Sequence, residues 1–292
     1  MNAKAAFKSL RVRATPLVLS GVTMGISAAR VDGPVKWTTA LFLALTAVFL
    51  QFVSNLSNEL GDYLHGTDRA DREGMKYSMQ SGELSVRDLK TLIGTCILFS
   101  CIFGLSMIYT SFGTLLSVLS INFIVLGVLA IIAAMRYTLG RNPYGYRGLG
   151  DIYVFLFFGL AVVCGGYCLC SGNPHPWHSI LPACAMGCFS VGVLNVNNIR
   201  DMKSDAATRV TMAIRMGEKG SRAYQTALVA AGWVFMLMWS AAYSHSFVYV
   251  LTLPLFIVHL TIVWKKSGRA LDAMVPMLSI STFLLSLLTF IG

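Results

Sequence analysis

The chain has 292 residues, of which 55% are hydrophobic and only 12% charged. A water-soluble domain carries roughly a quarter charged residues, so the composition argues against a soluble globular fold and for a lipid environment. The formal net charge of +10 would suit a nucleic-acid partner, but the placement of the basic residues argues against one.

Apolar stretches of about 20 residues read as transmembrane helices. Nine follow in chain order, at about 14–30, 37–58, 91–110, 113–135, 152–171, 177–198, 223–243, 246–264 and 272–291. The opening, "MNAKAAFKSLRVRATPLVLSGVTMGISAA", has the basic start, apolar middle and small-residue end of a secretory leader. Arg11, Arg13 and Pro16 mark the start of a helix that the charge pattern needs, so this span is expected to be retained. With the N-terminus in the cytoplasm, the even-numbered connections and that terminus hold 21 of the 23 lysines and arginines. Only Arg30 and Lys36 fall on the other side. This is the positive-inside asymmetry, and it sets the expected orientation. The expected protein is all-α, a polytopic membrane protein forming one domain over 1–292, in a cell (inner) membrane. Its long polar loops, about 59–90 and 199–222, and shorter ones, about 136–151 and 265–271, then all lie on the cytoplasmic side.

All seven cysteines lie within predicted spans, and none pairs with a histidine at zinc-site spacing. They read as small packing residues. His65 stands near acidic residues but reads first as a loop residue.

The second span runs into "QFVSNLSNELGDYLHGTD" and the sixth into "VNNIRDMKSD". Each carries Asn-x-x-x-Asp, as Asn58/Asp62 and Asn197/Asp201. Four spans separate them, which suggests two related four-helix units and a ninth helix. Residues four apart on a helix are offset by only about 40°. Asn197, Asp201 and Asp205 therefore share a face if the helix extends past Asn198. Ionisable groups at the end of an apolar span usually face a cavity. Clusters of Asp and Asn oxygens suit hard cations, and magnesium typically takes one or two carboxylates together with substrate phosphates. Arg69, Arg72, Arg200 and Arg209 flank the acids, and guanidinium forks match phosphate oxygens. Together they point to Mg²⁺ and a diphosphate-like anion on one membrane face. The segment "RYTLGRNPYGYRGLGD", Arg136 to Asp151, is too rich in Gly and Pro for a plain helix. It reads either as a tight connection anchored by interfacial tyrosines or as a wall over the site.

These motifs resemble the UbiA superfamily of intramembrane aromatic prenyltransferases. That family carries Asn-x-x-x-Asp-x-x-x-Asp after its second helix and Asp-x-x-x-Asp after its sixth, matched here by Asn58/Asp62 and Asp201/Asp205. Its Tyr-x-x-x-Lys element corresponds to Tyr137-x-x-x-Arg141, with Arg in place of Lys. Gly66 stands where the second Asp of the first motif is expected, and the next carboxylate is Asp68. "NELGDYLHGTDRADR", "NPYGYRGLGDIYVFLFFG" and "NNIRDMKSDAATRVTMAIRMG" resemble the branch that prenylates 1,4-dihydroxy-2-naphthoate on the route to menaquinone. "TRVTMAIRMG", with Arg209, Thr211 and Met212, matches that branch only loosely.

The resemblance implies nine transmembrane helices around a central cavity. It implies Mg²⁺ held by Asn58, Asp62, Asp68, Asp201 and Asp205, binding the diphosphate of a polyprenyl donor. Arg72, Arg141, Lys203 and Arg209 would neutralise further oxygens. Asp62, Tyr137, Arg141 and Asp201 are the catalytic candidates, Tyr137 and Tyr146 would face the allylic cation or the ring, and Arg147 would take the acceptor carboxylate. The implied partners are polyprenyl diphosphate, 1,4-dihydroxy-2-naphthoate and the bilayer, without nucleic acid. The competing readings are another aromatic acceptor, such as 4-hydroxybenzoate, and a secondary transporter. A transporter would carry its polar groups near the bilayer midplane, whereas these acids sit at one face.

Overall fold

The computed structural model describes residues 3–67, 78–243 and 246–292. These residues are helical with short connections, and no strand occurs among them. Nine helical stretches among them are long and apolar enough to cross a bilayer. In lipid each span must satisfy its own backbone hydrogen bonds, which is why apolar length alone locates them.

The first stretch is broken into α1 (Ala3–Leu10) and α2 (Thr15–Asp32). It is followed by α3 (Trp37–Leu64), α4 (Val86–Phe112) and α5 (Val118–Arg136). Then come α6 (Gly150–Ser171), α7 (Trp177–Arg200), α8 (Met212–Tyr243), α9 (Val248–Lys265) and α10 (Gly268–Ile291). The helix ends have local causes. Pro16 lies in the first turn of α2, where a missing N–H costs nothing. Ser85 and Asp88 form a reciprocal capping box on α4, with Asp88 N–H donating to Ser85 Oγ at 3.1 Å and Ser85 N–H to Asp88 Oδ2 at 3.0 Å. Gly113 closes α4 in the left-handed region, at φ 71°. Inside α8, Gly217 (φ 69°) interrupts the helix, so its first turn is set off from the long apolar part.

The core lies where α2, α3, α6, α7, α8 and α10 meet, around Met24, Leu43, Tyr167, Met186, Phe189, Trp239 and Leu278. The crossing of α6 and α7 is close: a Cβ on Gly159 would stand 2.7 Å from both Ala183 O and Gly187 Cα. Small residues permit such backbone approach in membranes. At this crossing α6 widens to a π-helical stretch, Phe155–Ala161, a distortion common near functional sites. By contrast α4 and α5 leave Leu98, Ile102, Leu105, Val125, Val128, Leu129 and Ile132 exposed, as a lipid-facing surface requires.

Two helices depart from their expected lengths in a way that builds the site. α3 runs on through Asp62 to Leu64, two turns beyond the apolar limit at 58. α7 ends at Arg200, bends at Asp201 (φ −92°, ψ 5°) and resumes as a short turn, Met202–Asp205. The bend keeps the four-residue ladder, since Asp201 N–H donates to Asn197 O at 3.1 Å and Asp205 N–H to Asp201 O at 2.9 Å.

Candidate active site

A cavity of about 360 Å³ runs between the helices. Its walls are apolar over most of their extent, with Leu43, Met107, Phe123, Phe157 and Phe158 among them. At its polar end it is lined by Asn58, Asp62, Tyr137, Asn197 and Arg209. Helices α3 and α7 thus deliver their two Asn-x-x-x-Asp elements to one place.

Asp62, Asp201 and Asp205 are all buried, at 3%, 1% and 2% exposure. A buried carboxylate survives ionised only if it is paired and hydrogen-bonded, and each of these is. Tyr146 donates its hydroxyl to Asp62 Oδ1 at 2.7 Å. Arg209 reaches Asp205 Oδ1 at 2.7 Å and Asp62 Oδ1 at 3.8 Å, so one guanidinium lies between two carboxylates. Its charge also sits 5.7 Å from the centre of the Tyr146 ring. Arg200 grips Asp201 with a fork, Nε to Oδ1 at 2.8 Å and Nη2 to Oδ2 at 2.7 Å. The same Nη2 donates to Asn197 Oδ1 at 2.8 Å, and Nη1 pairs with Asp272 at 3.1 Å. The carboxylates therefore stand in two groups, Asp62 with Asp205 around Arg209, and Asp201 around Arg200. Among the described residues no three carboxylate, imidazole or thiolate groups form a ready metal cluster.

The connection after α5 builds the opposite wall. Thr138 is buried and donates Oγ1 to Ser57 O at 2.8 Å, tying this connection to α3 one turn before Asp62. Gly145 N–H donates to Tyr137 O at 3.0 Å and Val210 N–H to Tyr146 O at 3.0 Å, which fixes both tyrosines relative to the segment carrying Arg209. Tyr137, Tyr144 and Tyr153 all line the cavity. Tyr144 stacks on Tyr153 at 3.8 Å and meets Tyr137 edge-on at 5.4 Å. Burial pushes the Tyr137 phenol up to about 12. Burial and the Asp62 charge push the Tyr146 phenol up as well. Both keep their protons at neutral pH, and Tyr146 spends its proton on Asp62.

Of the residues singled out from sequence, Asn58, Asp62, Tyr137 and Arg209 line the cavity, with Tyr146, Asp201 and Asp205 joined to that end by hydrogen bonds and ion pairs. Arg141, Arg147 and Lys203 are exposed and stand outside the lining. Asp68 and Arg72 lie outside the described residues. His65 is the exposed cap of α3, its ring between Gly61 O and Gly140 O. The seven cysteines are free. Sequence reasoning missed Arg11, Thr138, Tyr153 and Asp272. Thr138 and Tyr153 carry no charge in an apolar setting and so no signal, whereas Arg11 was legible only as a topology marker.

A profile of the UbiA prenyltransferase family matches residues 18–287. The chain is 35% identical to a 1,4-dihydroxy-2-naphthoate octaprenyltransferase of Escherichia coli (strain K12), covering 94% of this chain and 89% of the relative. It is 32% identical to the protein of the same description from Haemophilus influenzae, covering 98% and 94%. Its fold matches the apo structure of a UbiA homolog from Aeropyrum pernix K1 with a TM-score of 0.73 at 19% identity, over 94% of this chain and 96% of that one.

Proposed function

The chain belongs to the UbiA prenyltransferase family, and from that premise we propose that it transfers a polyprenyl group from a polyprenyl diphosphate to 1,4-dihydroxy-2-naphthoate with loss of CO₂. The observation that carries the reading is the junction of an apolar cavity with buried carboxylates bridged by an arginine. An isoprenoid tail needs the first and a diphosphate the second.

Oxygen donors from carboxylate and amide groups suit a hard divalent cation, and Arg209, lying between Asp62 and Asp205, shows that this position accepts positive charge. Magnesium needs only one or two carboxylates when phosphate oxygens complete its shell, so two separate acidic groups fit it as well as one cluster would. Asn58, Asp62, Asp201 and Asp205 would hold Mg²⁺, with Asp68 a further ligand. When bound, the ion neutralises charge that develops on the departing diphosphate.

The chain's own residues do the rest. Arg209 turns from the carboxylates to the donor's phosphate oxygens, with Arg72, and with Arg141 and Lys203 at the exposed rim. Fixed cations in a poorly hydrated site stabilise the leaving group without reorganising. As the C–O bond breaks, its electron pair stays on the diphosphate. A ring pair of the acceptor forms the new C–C bond, and the pair from the broken C–CO₂⁻ bond restores the aromatic ring. The product is the demethylmenaquinone ring at its quinol level. Tyr137 and its neighbours Tyr144 and Tyr153 offer π faces to the allylic cation. Phe123, Phe157 and Phe158 keep water from that cation. The charge asymmetry favours a multi-pass protein of the inner membrane, with its N-terminus and site on the cytoplasmic side, all nine spans forming a single domain.

The test is prenyl transfer by purified protein in detergent with polyprenyl diphosphate and Mg²⁺, offering the naphthoate and 4-hydroxybenzoate in parallel. EDTA-sensitive product from the naphthoate, with an equivalent of CO₂, is expected. Product from the benzoate alone would refute the acceptor, and product unaffected by EDTA would refute the metal.

A further inference from the structure

Only two arginines or lysines line the cavity among the described residues, Arg209 and Arg11. Arg11 belongs to none of the acidic motifs. It sits in the break between α1 and α2 with a left-handed backbone, φ 52° and ψ 49°. Among the described residues it is the only non-glycine residue at positive φ. For a residue with a Cβ that conformation is strained, and such strain persists only where surrounding structure imposes it.

The surroundings do impose it. Ala5 of α1 is buried against Val53, Leu56 and Leu60 of α3, and Ser78 Oγ donates to Ala5 O at 2.9 Å. Asn55 Nδ2 donates to Leu10 O at 2.8 Å, and Gln51 Nε2 orients Asn55 through its Oδ1 at 3.0 Å. On the far side of the break Ala14 N–H donates to Arg11 O at 2.8 Å. The chain is thereby turned so that Arg11 joins the cavity lining, with its Nε and Nη2 buried. Asn55, which anchors it, precedes Asp62 by seven residues, about 10 Å along a helix axis. The backbone at Leu10–Arg11 is thus anchored on α3 two turns before Asp62.

The reaction brings two anions into this cavity. The diphosphate belongs at the end with Asp62, Asp205 and Arg209. The acceptor carries a carboxylate, and burying it unpaired beside apolar walls is strongly unfavourable. Resting on the prenyltransferase reading, we infer that Arg11 receives the carboxylate of the aromatic acceptor, with its guanidinium fork on the two oxygens. Held there, the acceptor ring lies between Arg11 and the diphosphate end, against the wall of Tyr137, Tyr144 and Tyr153. Arg147, the candidate from sequence for this role, is exposed and lies outside the lining.

The experiment compares wild type with Arg11→Gly, Arg11→Lys and Arg147→Gln. Glycine suits φ 52°, so Arg11→Gly removes the cation without adding strain to the break. The readouts are KM for the naphthoate, KM for the polyprenyl diphosphate, and inhibition by 1,4-naphthalenediol, which has the ring without the carboxylate. Arg11→Gly is expected to raise the naphthoate KM at least tenfold while donor KM and diol inhibition stay within about twofold, and Arg11→Lys to recover part of the loss. A tenfold rise in donor KM instead would make Arg11 a diphosphate ligand and overturn the inference. So would an unchanged naphthoate KM, an equal weakening of naphthoate and diol, or an acceptor shift produced by Arg147→Gln alone. Wild-type protein inactive on the naphthoate would instead refute the function on which the inference rests.

Discussion

Gly61→Ala puts a single methyl group beside Asp62, a carboxylate of the proposed active site. Gly61 precedes Asp62 on the last turns of α3, where the connection after α5 crosses it. An added Cβ would stand 2.5 Å from Thr138 Cβ and Oγ1 and 2.7 Å from Thr138 O, whereas ordinary contact begins at 3.4 Å. The shortfall is about 0.9 Å, the difference between 3.4 and 2.5 Å. Thr138 cannot swing away freely, because Oγ1 is held by Ser57 O at 2.8 Å and the other two atoms belong to or adjoin the backbone. So α3 and the Tyr137–Thr138 segment must separate by roughly an ångström. A displacement of that size at a catalytic constellation costs about a hundredfold in rate, or about 2.7 kcal/mol of barrier. Overpacking itself costs typically 1–3 kcal/mol of stability. The assay is kcat/KM for prenyl transfer beside thermal unfolding in the same detergent. Gly94 of α4 has nothing within 4 Å of its would-be Cβ, so Gly94→Ala is the control and should hold activity and Tm or raise Tm slightly. If Gly61→Ala keeps kcat/KM within about threefold of wild type, α3 does not depend on this contact to place Asp62, and the reasoning fails.

Asp62→Asn and Asp201→Asn should each lower turnover by at least about a hundredfold while the protein still elutes as a folded species; near-normal turnover in either would remove that residue from the proposed metal site. Arg200→Lys replaces a fork that holds Asn197, Asp201 and Asp272 together with a point charge. It should lower kcat roughly tenfold and raise the Mg²⁺ concentration for half-maximal rate, and an unchanged Mg²⁺ dependence would refute the positioning role. Deep in the bundle, Asn195 Nδ2 donates to Gln225 Oε1 at 2.9 Å, and Gln225 Nε2 lies 3.1 Å from His259 Nε2, all three buried. Gln225→Leu takes the partner from His259 Nε2 and leaves Asn195 Nδ2 only Ser221 O, at 3.0 Å, and should destabilise by roughly 1–3 kcal/mol, read as a lower Tm with both KM values unchanged.

The chain read alone locates the membrane helices, because an apolar span has to close its hydrogen bonds within itself and so is specified locally. It also marked Asn58, Asp62, Asn197 and Asp201, since four-residue spacing survives translation into a helix, even across the bend at Asp201. Burial, pairing and direction come from the way the helices pack. Asp62 meets Tyr146 from 84 residues away. Arg209, flanking one acidic motif, bridges both. Arg200 reaches forward to Asp272 near the start of the last helix. Arg141, Arg147 and Lys203 have the same charge as Arg209 and stand in similar loops, yet point outward. Arg11 read as a topology marker and turned out to line the cavity. Hydropathy is a sum along the chain and registers each helix alone. Which side chain enters the cavity depends on how helices cross, and the crossings are set by close contacts such as Gly61 with Thr138 and Gly159 with Gly187, which leave no period in the sequence.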